Sequence, residues 1–298
     1  MTSITAKAGE TKPRSKSGAA FRQLLQSPPA IVGAVLLSAF VIMALIGPLL
    51  APYNPREQHL IDRLLPPSWS EEGDSAYLLG TDQLGRDVFS RLLHGSRVAL
   101  SVGLFATSLA LGIGVIVGLI SGYYGGWFDT ISMRLLEIVI SVPNTILYLT
   151  ILGAFGPSLG LLIAVIGLFG WTTSARVVRG EVLALRKRDY VEATRALGQR
   201  SILIVFRHIL PNVLGPIVVV GTLKVASIII LEASLSFLGY GVQPPAVTWG
   251  QMLADGRRFV TSAWWLATLP GLAITLLTLS LLFLGNWLRD VFDPRTYD

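Results

Sequence analysis

The sequence predicts an all-α membrane protein with about six transmembrane helices. Two observations carry this. Of the 298 residues, 52% are hydrophobic and only 14% are charged, where a soluble domain has about 25% charged, and mean hydropathy is +0.62. The apolar residues also fall into long uncharged runs, and about 20 such residues cross a hydrocarbon core of about 30 Å.

Ala30 to Leu50 is the first such run. It is too long for a signal-peptide core and reads as a retained span. Val98 to Gly122 is the second. Ile138 to Ala175 is too long for one helix, and the turn residues from Gly153 to Ser158 divide it. It reads as spans three and four, with the third starting near Ile131. Span five runs from about Val213 to Leu238, and span six lies within Phe259 to Leu288. Residues 1–29 form a tail, 51–97 a long loop and 240–262 a shorter connecting segment.

A net charge of +6 and a pI near 9.8 do not point to nucleic acid. The basic residues sit in short stretches between apolar runs, which is membrane usage. The tail has Lys7, Lys12, Arg14, Lys16 and Arg22. The segment between spans four and five has Arg176, Arg179, Arg186, Lys187, Arg188, Arg195, Arg200 and Arg207. With Arg134, Arg289 and Arg295 this side holds sixteen of 24 basic residues. The positive-inside rule places it in the cytoplasm, with both termini. Trp264 and Trp265 stand where an interfacial aromatic belt is expected. Without cysteine, disulfides and cysteine metal sites are excluded.

Lipid offers no hydrophobic drive between helices, so close packing needs small residues. Ala106, Ala110, Gly114, Gly118 and Gly122 recur every fourth position and form one stripe. It is read first as a seam within the chain and second as a dimer seam. Pro143 and Pro270 lie within spans and predict kinks.

The stretch Arg186 to Asn212 predicts a helix, a turn and a second helix. Asp189 is placed to cap a helix starting at Tyr190, with Glu192 completing a capping box. Gly198 is placed to end it in a left-handed cap. Residues 201–210 form an amphipathic helix, with Ile202, Val205, Phe206 and Ile209 on its apolar side and Pro211 ending it. Such a knob suits a partner's grip, and a linker lying on the membrane surface fits equally well.

This segment resembles the EAA loop of bacterial ABC importer permeases: Glu-Ala-Ala, three residues, Gly, nine residues, Ile, one residue, Leu-Pro. Glu192, Ala193, Gly198, Leu210 and Pro211 are in register, while Thr194 and His208 depart from the pattern. Leu79 to Val88 resembles the LGTDxxGRDV signature of DppC/OppC-type dipeptide, oligopeptide and nickel permeases, and Leu235 to Pro245 with Trp249-Gly250 resembles that subfamily's segment after span five. The likeness runs from about residue 30 to the C-terminus. It implies the type I importer fold in a bacterial inner membrane, with the chain surrounded by lipid. It also implies a sister permease, two ATPase subunits that bind ATP and Mg, and an extracytoplasmic solute-binding protein. The EAA loop of the family docks on the ATPase, a role carried to Asp189, Tyr190, Glu192, Ala193, Gly198, Leu210 and Pro211. Peptides, nickel chelates, opines and glutathione all fit the subfamily.

Within 80–97, Asp82, Arg86 and Asp87 can pair around a glycine turn formed with Gly80, Thr81 and Gly85. Asp87 can cap a helix running through Ser90 and Leu93. This reads first as an elbow that orients span two, and second as a contact for binding protein or solute. Lys224 lies mid-span and Glu232 two turns later. A charge at the bilayer centre costs about 3 kcal/mol, so the two either line a path, brace a permease pair, pair with each other or snorkel. Arg134 and Glu137 form a local helix pair.

The sequence has no Gly-Lys dipeptide, hence no phosphate loop, and no H-E-x-x-H. His59, His94 and His208 are scattered, so neither a metal site nor a catalytic arrangement is expected. Two rival readings are an ion-coupled carrier, which would show paired broken helices in two halves, and a membrane-embedded enzyme, which would need more intramembrane charges.

Overall fold

The computed structural model describes residues 23–292. The tail cations up to Arg22, and Arg295, lie outside them. Five helices are long and apolar enough to cross a membrane, and a bent pair makes a sixth. Among the described residues, β-structure is limited to an isolated bridge between Thr81 and Asp87.

Helix α1 (Pro28–Leu50) and α2 (Val88–Tyr124) frame the long loop. Span two is thus longer than the uncharged run at 98–122, and the loop ends at residue 87, not 97. The reason is ion pairing. Arg91, 3% exposed, is buried in ion pairs, so it does not end the helix as a charge in lipid would.

Span three begins at Gly126, not near Ile131. It is broken into α3 (Gly126–Ser141) and α4 (Asn144–Phe155), which meet at 80°. The break falls at Val142-Pro143, so Pro143 does more than kink the helix. It has no N–H to donate, and it biases the residue before it towards extended backbone. Val142 has φ −97° and ψ 128°.

Helices α5 (Leu159–Phe169) and α6 (Thr172–Leu185) form span four, ten residues longer than read, with a short break at Gly170-Trp171. Helix α7 is Asp189–Ala196. The 37-residue α8, Ser201–Phe237, is continuous, and α10 spans Trp265–Phe292. Between them lies the short α9 (Trp249–Gly256).

Pro211 therefore does not end a helix. One π turn, Val205–Ile209, sits just before it, and Leu210 N–H donates to the Val205 carbonyl. A π turn widens the ladder by one residue. The knob's second helix and span five become one rod.

Helix α2 is the centre of the bundle, packed on α6, α8, α5 and α1, while α10 packs on α8, α1 and α9. The small stripe faces α6, so the seam lies within the chain. A Cβ on Gly118 would stand 2.7 Å from Val178 Cβ and 2.8 Å from the Ala175 carbonyl oxygen. Large apolar residues such as Val35, Leu45 and Leu49 of α1 are exposed, as expected of a bundle whose solvent is lipid.

Trp265 is not a belt residue. It is 4% exposed, and its indole N–H donates to the Thr81 carbonyl at 3.2 Å. Trp264 stays half-exposed.

Candidate functional site

Two ends of the bundle hold candidate sites, and a third lies between them. The first end carries the 80–87 loop. Asp82 N–H donates to the Arg86 carbonyl and Gly85 N–H to the Asp82 carbonyl, each at 3.0 Å. Gly85 has φ +72°, and a Cβ there would collide with the His59 carbonyl, so glycine is required twice over. Thr81 Oγ1 accepts from Leu65 N–H at 2.9 Å and donates to the Asp62 carbonyl. Tyr77 donates to Asp62 Oδ2 at 3.1 Å. Burial, with help from that bond, pushes the Tyr77 phenol up to about 12.

Asp82 is the hub. Its Oδ1 accepts from Leu84 N–H and Arg86 N–H. Its Oδ2 lies 2.6 Å from Arg86 Nε and 3.3 Å from Arg91 Nη1. Asp255, from α9, joins Arg86 at 3.5 Å and Arg91 at 3.7 Å. Among the described residues Asp87 makes no ion pair. It is 2% exposed and caps α2 through Ser90 N–H at 2.8 Å. The signature loop is an elbow braced from within. Sequence reading missed Arg91 and Asp255, since pairing across 164 positions leaves no local signal.

The opposite end carries 186–212. Helix α7 starts at Asp189 itself, and no side-chain cap bond forms at its start. The capping box is therefore not made, and Asp189 acts as a first-turn acid favoured by the helix dipole. The C-terminal end is as expected. Gly198 has φ +77°, Gly198 N–H donates to Arg195 O at 3.0 Å and Gln199 N–H to Thr194 O at 3.2 Å. These two bonds make a Schellman cap.

The apolar side read on 201–210 is split. Ile204, Val205 and Ile209 are buried with Val191, Val178 and Val182, whereas Ile202 and Phe206 are 58% and 59% exposed. Ile202 and Phe206 lie four apart on one row, and Val205 and Ile209 lie four apart on the next. Leu197, 86% exposed, and Tyr190, on the turn and on α7, are exposed as well.

This end is tied to the bundle by charges that the sequence showed only as a count. Arg179 donates to Asp129 through Nε and Nη2, at 2.6 and 2.7 Å, joining α6 to α3. Arg186 donates to the Gly122 carbonyl at 3.0 Å, at the end of α2. Arg195 stacks 5.5 Å from the Tyr123 ring. Arg179→Gln should remove the fork and cost about 1.5–3 kcal/mol, typical of hydrogen bonds to charged groups. Thermal unfolding in detergent should then begin several degrees lower. An unchanged transition would show that the fork adds nothing. Arg134 and Glu137 pair locally at 2.9 Å, as read.

Lys224 and Glu232 do not meet. Among the described residues no ion pair joins them. Glu232 is 1% exposed and accepts from Ser236 Oγ at 2.7 Å. Lys224 is half-buried and lines a cavity of about 320 Å³ with Tyr148, Thr172 and Ser227. No group of three or more potential metal ligands occurs among the described residues.

Comparison with known proteins places this architecture. Residues 114–297 match a family model described as binding-protein-dependent transport system inner membrane component. Residues 15–67 match the N-terminal transmembrane domain of oligopeptide transport permease C. The dipeptide transport system permease protein DppC of Alkalihalophilus pseudofirmus is 39% identical over 276 residues, covering 93% of this chain and 89% of the relative. DppC of Haemophilus influenzae is 37% identical, covering 91% and 92%. The glutathione transport system permease protein GsiD of Pectobacterium atrosepticum is 36% identical, covering 92% and 90%. Among solved structures, a chain of the inward-facing MetNI methionine ABC transporter aligns with TM-score 0.53 at 20% identity, covering 67% of this chain and 96% of that one, which speaks for fold alone. The chain belongs to the inner membrane components of binding-protein-dependent transport systems, as a multi-pass ABC importer permease subunit and not an enzyme.

Proposed function

We propose that the chain forms half of a peptide path through the membrane, the other half coming from a sister permease. Two ATPase subunits, which bind the ATP and Mg, drive it, and an extracytoplasmic binding protein delivers the solute. Peptides are favoured because relatives at 37–40% identity are named as di- or tripeptide permeases. Nickel chelates, opines and glutathione remain rival cargoes. On this reading the 186–212 end, rich in Arg and Lys, faces the cytoplasm with both termini, and the 80–87 elbow faces outward, where the binding protein docks. Lys224 faces the path, and Glu232 braces α8 through Ser236.

The observation that carries the coupling role is the Gly198 turn. It holds Tyr190, Leu197, Ile202 and Phe206 outward on a base anchored to α2 and α6. An exposed apolar row on a rigid support suits docking into a partner's groove. Nothing lies within 4 Å of a Cβ placed on Gly198, so a substitution there tests conformation and not crowding. A left-handed β-branched residue costs roughly 1–2 kcal/mol, which lowers the docked shape's population about 5–30-fold.

Gly198→Val should therefore lose most of its co-purifying ATPase subunit and uncouple ATP hydrolysis from uptake. Equal recovery and equal coupling would contradict the docking role. A chain that purifies alone and moves solute in liposomes without ATP would replace the whole reading with a secondary carrier.

A further inference from the structure

The cavity at Lys224 is lined by Asn144, Tyr148, Thr172, Thr173 and Ser227, and no carboxylate is in its wall. Two helices begin there. Asn144 is the first residue of α4, after the Pro143 break, and Thr172 is the first residue of α6, after the Gly170-Trp171 break. A helix N-terminus carries about half a positive charge and unsatisfied N–H groups. The first residues of both line the cavity that also holds Lys224.

The side chains agree. Tyr148 is 2% exposed and Thr172 is 4% exposed, yet neither hydroxyl has a hydrogen-bond partner among the described residues. Lys224 likewise has no ion pair or side-chain bond among them. Neither hydroxyl is among the buried atoms left without a partner, so both open onto the cavity and are free to donate to a solute there. Ser227 already donates, to the Lys224 carbonyl at 2.9 Å. The wall thus offers an ammonium, a phenol, two threonine hydroxyls and an amide, beside the first turns of two helices. It is rich in donors and positive in sign, and a cation would find little to hold it.

We infer that this cavity is a carboxylate subsite within the membrane path, where Lys224, Tyr148 and Thr172 receive the free carboxylate of the transported solute. The inference rests on the importer reading and adds the chemistry of the cargo to it. For a peptide, the group received is its C-terminus or an acidic side chain. Helix N-termini are suited to this, since they bind anions without net protein charge nearby.

The test uses the whole importer, with its permease pair and ATPases, in lipid nanodiscs. Lysines are acetylated with a small activated ester and read by mass spectrometry, with Lys187, which does not line this cavity, as reference. Millimolar dialanine should slow acetylation of Lys224 at least threefold, dialanine amide should not, and Lys187 should be unaffected. Equal rates with both peptides, or protection by inorganic phosphate but not by dialanine, would overturn the subsite.

A second arm compares uptake of the two peptides into liposomes. Lys224→Met should lower the acid-to-amide preference about tenfold relative to wild type, the scale of one charged hydrogen bond. Lys224→Arg should restore most of it. The binding protein's own preference cancels in that ratio. If Lys224 instead serves a carboxylate of the sister permease, the variant slows both peptides alike, the ratio holds, and the inference fails. If wild type moves neither peptide, the peptide reading falls, and protection of Lys224 still decides the subsite.

Discussion

Asp82→Ala should destabilise the protein by about 3–5 kcal/mol, the cost of leaving a buried partner charge uncompensated. Four donors lose their acceptor at once: two backbone N–H groups and the Arg86 and Arg91 guanidinium groups. Arg91 is 3% exposed and would keep only Asp255, at 3.7 Å. The expected result is little folded chain after extraction, and early thermal aggregation of what survives. Asp82→Asn should lose less, because its oxygen can still accept from Leu84 and Arg86 N–H. An Ala variant that extracts and melts like wild type would mean that water or Asp255 carries the load.

Gly118→Leu should cost about 3 kcal/mol, at the upper end of overpacking penalties. The obstacle is partly backbone, the Ala175 carbonyl oxygen at 2.8 Å, which has no rotamer to change. The helices α2 and α6 must separate, and the contacts at Gly114 and Gly122 weaken with them. Gly118→Ala should cost less, about 1–2 kcal/mol. Gly112, on the same helix, has nothing within 4 Å of an added Cβ, so Gly112→Leu should be nearly neutral. Melting temperatures of the three variants in one detergent decide the matter. Equal effects at 112 and 118 would exclude the seam as the cause.

Much of this was legible because two periods are strong in the sequence. The four-residue spacing of Ala106 to Gly122 marks a helix face, and the spacing from Glu192 through Gly198 to Pro211 marks a turn between helices. What was illegible follows from treating charges and prolines as local signals. Arg91 was read as outside the bilayer because its neutralising partners lie at 82 and 255. Pro211 was read as a stop because a π turn, which leaves no composition mark, was needed to carry the chain past it. Asp189 had the right chemistry for a cap but sits one position too late. Trp265 looked like a belt residue until the 80–87 elbow supplied an acceptor for its indole. Lys224 was legible as an oddity. The company it keeps was not, since two helix breaks 28 residues apart bring Asn144 and Thr172 to it.

The unbroken run from Ser201 to Phe237 has a mechanical meaning. At about 1.5 Å per residue its 37 residues make a shaft of roughly 55 Å. A shaft of that length, tilted by roughly 10° about one end, sweeps the other by about 10 Å. On the proposed docking role, the exposed residues Ile202 and Phe206 and the lysine at 224 sit on the same shaft, with the π turn at Val205–Ile209 and Pro216 as the soft points along it. A push on that exposed row would then reach Lys224 as rotation and displacement of the wall itself, with no relay of side chains in between.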